Sequence, residues 1–320
     1  MEYILFVVGF VVLIKGADLL VEGATSIGKR YKISDIVIGL TIVSFGTSLP
    51  ELVVNLVASF GGSSQLALGN IFGSNVANIL LILGISAIIC PLPITRNTYF
   101  SEIPFSLVAT LLVGFLANAN LFQGELTSSL DLSRFDGFVL LFFFSLFLGY
   151  VYIVSKQKSS VHELEVIVKL PMRKSILYIL IGMVGLYFGG DWVVTGAITL
   201  ATQFGLSESL VGLTIVALGT SLPELVTSIV AALKKNTDIA VGNAIGSNIF
   251  NLLWILGLSA VIKPLDFDVI SNMDILMVIA SSTLLILAVV IGKRPIISRW
   301  EGGYFVIAYV VYMVYLINRG

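Results

Sequence analysis

Charge is what this chain has least of. Only 12% of its 320 residues are Asp, Glu, Lys or Arg, whereas soluble domains carry about 25%. Hydrophobic residues make up 57% of the chain, and the mean hydropathy is +1.03. A chain with so few charges cannot cover a water-facing surface, which excludes a soluble globular protein. The uncharged runs 137–155 and 275–292 are long enough to cross a hydrocarbon core of about 30 Å as helix.

Cysteine and histidine are almost missing as well. The single Cys90 excludes an internal disulfide, and the single His162 lies in a charged connecting stretch. No nucleophile–base set or cofactor motif is present, so we expect neither an enzyme nor a cofactor. A net charge of −1 without a basic domain gives no reason to expect a nucleic-acid partner. The first apolar run, from Tyr3, has no basic start or small-residue cleavage site and is predicted to be a retained helix.

Apolar runs separated by charge, proline and glycine predict ten membrane spans. Lys15 and Asp18, three residues apart in the first span, are expected to form an internal ion pair. The longest polar connection, 156–174, separates two sets of five spans. The approximate limits are 3–26, 34–60, 66–90, 101–119, 136–155, 175–200, 207–233, 239–262, 273–292 and 302–318.

The two sets of spans are copies of each other. A shift of 173 residues aligns 34–92 with 207–265 without a gap, with 32 identities over 59 positions. The same shift takes Gly16 to Gly189 and Gly23 to Gly196. Chance similarity between apolar segments would match Leu and Val, whereas these matches include Thr, Ser, Asn, Pro and Glu. The pattern therefore indicates an internal duplication.

The distribution of basic residues predicts the orientation of the chain. With the N-terminus outside, 14 of the 18 Lys and Arg fall in inside loops and three fall outside, with Lys15 inside a span. This asymmetry predicts both termini outside the plasma membrane and a cytoplasmic connector. Because five spans is an odd number, the second copy must be inverted. The predicted fold is all-α and polytopic, with ten transmembrane helices: a first five-helix repeat (1–155), a connector (156–174) and a second, inverted repeat (175–320).

One heptapeptide, GTSLPEL, occurs twice inside apolar spans, at 46–52 and 219–225. Proline has no N–H, so the carbonyl groups four residues before Pro50 and Pro223 lose their helical donors. An unsatisfied carbonyl is costly in hydrocarbon, and such a break is expected to line a cavity or an ion site. The oxygen-bearing side chains in the two copies are Glu51, Thr47 and Ser48, and Glu224, Thr220 and Ser221.

Two buried carboxylates would repel each other if they met, and a carboxylate at the centre of a spanning helix costs at least about 2.5 kcal/mol. A divalent cation between Glu51 and Glu224 would remove this cost for both. Ca²⁺ binds about six to eight oxygen ligands, including carboxylates and main-chain carbonyls. No His or Cys accompanies the two glutamates, which disfavours zinc and copper. The motifs therefore predict an all-oxygen cation site.

A second repeated stretch adds polar side chains to this site. GNIFGSNVAN at 69–78 matches GNAIGSNIFN at 242–251. Ser74 and Asn78 are four residues apart and share a helix face, as do Ser247 and Asn251. Glycines spaced by four allow close approach to a neighbouring helix. Each polar stripe is therefore expected to point inward, toward the glutamate of the adjacent span.

With GTSLPE followed by GNxxGSN in both halves, the sequence resembles the calcium/cation antiporter superfamily, and most closely the sodium/calcium exchangers. The resemblance covers all ten spans. It implies a secondary antiporter that sits in a lipid bilayer and expels Ca²⁺ in exchange for Na⁺.

The resemblance also implies roles for individual residues. Glu51 and Glu224 would bind both ions, Thr47 and Thr220 would offer main-chain carbonyls to Ca²⁺, and Asn78 would face the centre. Ser44 and Ala217 stand where the family uses a main-chain oxygen for Na⁺. Relatives often carry an aspartate where this chain has Asn251, and the absence of that charge weakens a role for K⁺. Hydroxyls that would bind Na⁺ belong to Ser48, Ser221, Ser74 and Ser247.

Several functions stay open from the sequence alone. The same glutamates could serve a Ca²⁺/H⁺ antiporter or a K⁺-dependent Na⁺/Ca²⁺ exchanger, although the paired hydroxyls favour Na⁺. An ion channel is less consistent with the pattern, because the duplication builds one internal site per chain rather than a filter on an axis between subunits. The sequence does not indicate an oligomeric partner.

Overall fold

A computed structural model describes residues 2–119, 130–156, 170–204, 217–291 and 295–319. It is helical throughout apart from short strand pairs, and one further helical turn lies at Ala217–Gly219. The helices are α1 (Glu2–Tyr31), α2 (Asp35–Thr47), α3 (Leu49–Gly61), α4 (Ser64–Ile89), α5 (Thr98–Ala117), α6 (Arg134–Ser155), α7 (Met172–Gln203), α8 (Leu222–Leu233), α9 (Thr237–Ile262), α10 (Ser271–Ile291) and α11 (Arg299–Arg319).

Eight of these helices are long and apolar enough to cross a membrane, and the bent pair of α2 and α3 brings the number to nine. The helix α8 is apolar but has only 12 residues. The first part of the predicted seventh span, 207–216, lies outside the described residues, as does most of the connector, 157–169. The chain is therefore an integral membrane protein with a helical fold.

Two helices form the centre of the bundle. In α4 and α9, 78% of the most apolar window is buried inside the protein, against 22–39% in the other six long helices. The central pair is lined by fully buried side chains such as Phe72, Ile82 and Leu253. Each of the two helices widens into a π-helical stretch, at Asn78–Ile82 and Phe250–Ile255. The polar motif GNxxGSN therefore lies at the core, and the outer helices present apolar side chains to lipid.

The long helices α1 and α7 pack closely against each other along most of their length. Glycines at seven-residue intervals line the contact, at positions 9, 16 and 23 of α1 and at 182, 189 and 196 of α7. A Cβ atom added at Gly16 would lie 2.8 Å from the backbone nitrogen of Leu186, and one at Gly182 would lie 2.7 Å from that of Leu20. Larger residues would push the backbones apart, so these glycines hold α1 and α7 together as one unit.

Two short antiparallel strand pairs tie the connecting loops together. β1 (Leu92–Pro93) pairs with β4 (Ile296–Ile297), and β2 (Leu130–Leu132) pairs with β3 (Leu265–Phe267). In the second pair Asp131 lies opposite Asp266. Partial burial, with a smaller contribution from the neighbouring carboxylates of Asp136 and Asp266, raises the pKa of Asp131.

The prediction of an ion pair within α1 is wrong. Asp18 forms a salt bridge with Lys234, the residue that follows α8, and not with Lys15. Spacing of three residues on one helix made the Lys15 pairing possible, but the fold brings a residue from the second half of the sequence closer. The Asp18–Lys234 ion pair thus links the α1–α7 unit to α8.

Candidate ion-binding site

Both GTSLPEL motifs interrupt a helix, as the prolines predict. Ser48, with φ −83° and ψ 7°, separates α2 from α3, and the two helices meet at an angle of 47°. Ser221, with φ −87° and ψ 2°, precedes α8 in the same way. Pro50 and Pro223 lie at the start of the following helix, where the absent N–H is tolerated. Each glutamate therefore lies in the first turn of a helix that begins inside the protein.

The two glutamates come together in the interior. Glu51 is 1% exposed and Glu224 is 0% exposed, and their carboxyl groups are close enough to interact electrostatically. Glu224 accepts a hydrogen bond at Oε1 from the Ser48 hydroxyl (2.9 Å) and a longer one from Ser247 (3.5 Å). Neither carboxyl oxygen of Glu51 has a hydrogen-bond partner among the described residues, and the same holds for Oε2 of Glu224.

The serines fall into two sets related by the 173-residue shift. Ser48, Glu224 and Ser247 are joined by hydrogen bonds, with 3.0 Å between the two hydroxyl oxygens. We call these three residues the bonded set. Their equivalents one repeat away are Ser221, Glu51 and Ser74, whose buried side-chain oxygens have no hydrogen-bond partner in the described part of the chain. We call these the unbonded set.

The threonines at the two breaks make reciprocal hydrogen bonds to asparagines of the other repeat. Thr47 donates to Oδ1 of Asn243 (3.0 Å), and Thr220 donates to Oδ1 of Asn70 (3.0 Å). Asn70 and Asn243 are the second residues of the two GNxxGSN motifs. Neither asparagine was predicted as a site residue, although asparagine stands at this position in both copies of the motif, which is the signal that identifies them.

Four more asparagines form a second reciprocal arrangement between α4 and α9. Asn78 donates to Oδ1 of Asn248 (2.9 Å), and Asn251 donates to Oδ1 of Asn75 (3.1 Å). The side chains of Asn75 and Asn248 in turn donate to each other's main-chain carbonyl, at 3.4 and 3.3 Å. The Oδ1 atoms of Asn78 and Asn251 are buried without a donor among the described residues. The predicted pair is thus held in place with its oxygens still free.

The two positions expected to offer main-chain oxygens to Na⁺ differ in what the structure describes. The carbonyl oxygen of Ser44, which is fully buried, accepts from the Ser48 N–H (3.0 Å) and lies 3.3 Å from the Thr47 hydroxyl oxygen. Because the single Thr47 hydroxyl hydrogen is donated to Asn243, one lone pair of the Ser44 carbonyl remains available to an ion. Ala217 begins the short turn that ends at Gly219, and its side chain lies outside the description.

The arrangement is suited to binding a cation. Buried polar oxygens normally have hydrogen-bond partners, yet oxygens of Glu51, Glu224, Ser74, Ser221, Asn78 and Asn251 all lack one among the described residues. A buried carboxylate without a partner is costly. A hard cation that binds oxygen, such as Ca²⁺ or Na⁺, would satisfy these atoms together.

Comparison with known proteins agrees with this chemistry. The family model described as sodium/calcium exchanger protein matches residues 1–153 and 174–318. The putative antiporter CaxA of Alkalimonas amylolytica is 37% identical over 318 residues, which cover 98% of each chain. The sodium/calcium exchanger MaX1 of Methanosarcina acetivorans is 30% identical, again over 98% of each chain.

A solved structure extends the likeness to three dimensions. The sodium-calcium exchanger NCX_Mj, soaked with 2.5 mM Na⁺ and 0.1 mM Ca²⁺, superposes with a TM-score of 0.79 at 32% identity, covering 98% of this chain and 97% of that one. The family match spans both halves of the sequence, and the relatives align over nearly their whole length. The chain belongs to the sodium/calcium exchanger family of cation antiporters.

Proposed function

We propose that the protein exchanges Na⁺ for Ca²⁺ across the membrane by alternating access to the site between Glu51 and Glu224. The observation that carries this proposal is the burial of two interacting carboxyl groups with three of their four oxygens unpartnered among the described residues. The exchanger function of MaX1 and NCX_Mj supports the choice of ions. The site residues implied by the resemblance are the proposed ligands.

Charge explains why such a site would exchange ions rather than leak them. Two carboxylates give the site a charge of −2, which one Ca²⁺ or two Na⁺ neutralise. The empty, doubly charged site is costly to enclose in a low-dielectric interior. The protein therefore changes its access only after a cation has bound, and each ion competes with the other for the same carboxylates. A third Na⁺ at the serine hydroxyls would make the cycle electrogenic.

The two repeats supply the access routes. In this proposal the chain has ten spans, the second five inverted relative to the first, with both termini outside the plasma membrane and the connector in the cytoplasm. The α1–α7 unit moves relative to the rest. In the described part of the chain α1 packs extensively on α8, whereas α7 makes no comparable contact with α3. This difference supports the proposal, in which the equivalent paths on the two sides of the site would be in different states, as alternating access requires.

Flux into proteoliposomes tests the proposal. Purified protein is reconstituted in vesicles that carry an outward gradient of Na⁺, K⁺ or protons, and uptake of radioactive Ca²⁺ is measured. We expect an outward Na⁺ gradient to drive uptake, and a K⁺ or proton gradient of the same size to drive none. Uptake driven by a proton gradient alone would overturn the proposal. The absence of uptake under every gradient that includes Na⁺ would overturn it as well.

A further inference from the structure

We propose that Asn70 and Asn243 are positioning residues, each of which holds the helix-break threonine of the opposite repeat in the geometry that the ion site needs. The inference rests on the proposed function, because it assigns these residues a role in the same site. Each asparagine lies on a central helix, α4 or α9, and contacts a threonine one residue before the break. Neither asparagine needs to touch the transported ion.

The orientation of Asn243 is fixed by its own repeat. Its Nδ2 group donates to the hydroxyl of Ser228 (2.9 Å) and to the main-chain carbonyl of Glu224 (3.2 Å). Both amide hydrogens are thus used, and Oδ1 remains free to accept from Thr47. Asn243, Thr47 and Ser228 are all fully buried. One side chain therefore connects the break in the first repeat to the backbone of the glutamate in the second.

Asn70 repeats this arrangement with different partners. Its Nδ2 group donates to Oδ1 of Asn55 on α3 (2.7 Å), and Asn55 donates to the main-chain carbonyl of Ala67 (3.2 Å). Oδ1 of Asn70 then accepts from Thr220. Asn55 stands one repeat before Ser228, so both asparagines are anchored to the helix that carries the glutamate of their own repeat.

Two crossed links follow from this geometry. Each glutamate-bearing helix is connected through an asparagine to the threonine of the other break, so that a shift of one half is transmitted to the ligands of the other. Other asparagines, such as Asn75 and Asn248, also bond across the repeats. Asn70 and Asn243 differ from them because they contact the threonines next to the two helix breaks.

A double-mutant cycle tests the link. Thr47→Val removes the donor with little change in shape, Asn243→Ala removes the acceptor, and the third variant carries both changes. Removal of one hydrogen bond predicts an apparent KM for Ca²⁺ about fivefold to tenfold higher, with kcat changed less than twofold as an order-of-magnitude expectation. If Asn243 acts through Thr47, the double variant is no worse than the worse single variant. Thr220→Val and Asn70→Ala form the matched cycle in the other half.

The control is a half-buried asparagine pair outside the site. Asn118 and Asn272 exchange hydrogen bonds of 2.7 and 2.9 Å between the ends of α5 and α10. Asn118→Ala is expected to leave the KM for Ca²⁺ and Na⁺ unchanged, although it removes a comparable interhelical contact. A similar rise of KM in Asn118→Ala would show a general packing effect and overturn the positioning role.

The remaining outcomes also decide the question. Additive effects in the double variant, or a wild-type KM in Thr47→Val, would overturn the proposal even if Asn243→Ala does not fold. If Glu51→Gln and Glu224→Gln also exchange normally, the proposed site itself fails. If those two variants are inactive while Thr47→Val and Asn243→Ala behave as wild type, only the positioning role fails.

Discussion

The bonded set and the unbonded set have the same three residue types at equivalent positions, yet their states are opposite. Ser48 and Ser247 both point their hydroxyls at Glu224 or at each other. Ser221 and Ser74 leave Glu51 without a hydrogen bond among the described residues. A duplicated sequence has therefore produced a site that is asymmetric in this conformation. The asymmetry lies in the hydrogen bonds, because the residues themselves are matched.

This difference indicates how an ion would enter. A cation that approaches Glu51 gains unpartnered oxygens and displaces no donor. A cation that approaches Glu224 must compete with hydroxyl donors for Oε1, although Oε2 is free. If the proposed site binds the ion, the unbonded set would be the half that is ready to bind, and the bonded set would be the half that rearranges on binding. Transport would alternate the two states as access changes sides.

The largest effect is expected from removing either carboxylate. Glu51→Gln and Glu224→Gln each leave a site charge of −1, which Ca²⁺ overcompensates. In the Ca²⁺-bound site each carboxylate pairs with the cation, and removal of one member of such a buried pair costs about 3–5 kcal/mol. Ca²⁺ uptake driven by Na⁺ should therefore fall by roughly a hundredfold or more. The measurement is initial uptake in proteoliposomes at saturating gradients.

Glu102→Gln is the matched control for these variants. Glu102 is a 1% exposed carboxylate in α5 that accepts a hydrogen bond from Tyr150 (2.7 Å) and lies outside the proposed site. Its removal should leave the Na⁺ dependence of uptake unchanged. Sodium-driven uptake that persists in either Glu51→Gln or Glu224→Gln would contradict the assignment of the site.

An intermediate effect should distinguish the two serine sets directly. Ser48→Ala removes the donor to Glu224 and leaves a buried carboxylate short of a partner, at a cost of about 1–3 kcal/mol. Ser221→Ala removes a hydroxyl that has no partner in the described residues. In the absence of transported ions, Ser48→Ala should therefore melt at a lower temperature than wild type, and Ser221→Ala should not.

Thermal melting in detergent, with Ca²⁺ and Na⁺ removed by chelation and exchange, provides the measurement. Adding Na⁺ should stabilise wild type more than either variant, because both serines are proposed Na⁺ ligands. Equal melting temperatures for the two ion-free variants would mean that the two sets do not differ as the hydrogen bonds indicate.

Much of this site could be predicted from the sequence, because proline and duplication act locally. Pro50 and Pro223 determine where the helices break, and the 173-residue shift identifies Glu51 with Glu224. The sequence could not show which serines are bonded, since both copies read Ser-Leu-Pro-Glu. It also led to the wrong partner for Asp18. Spacing along one helix says nothing about Lys234, which lies 216 positions away and reaches Asp18 only through the packing of α1 on α8.

The smallest effect concerns the ion pair between Asp18 and Lys234, which holds α1 against α8. The equivalent positions one repeat away are Asp191 and Gly61, so the other half cannot form the same pair. Because both side chains are partly exposed, at 35% and 41%, the pair contributes about 0.2–1 kcal/mol. Asp18→Asn should therefore favour separation of α1 from α8 by roughly twofold to fivefold.

Cysteine accessibility measures this shift, because Cys90→Ala removes the only native thiol. In that background Val226→Cys places a thiol on α8, where Val226 packs against the core that includes residues of α1. Asp18→Asn and Lys234→Gln should each raise its modification rate by a water-soluble thiol reagent, and together they should do no more than either alone. Asp191→Asn is the control and should leave the rate unchanged, because its repeat partner has no amine. A modification rate that rises equally in Asp191→Asn would show that charge on α1 and α7 in general, rather than the Asp18–Lys234 ion pair, holds α1 against α8.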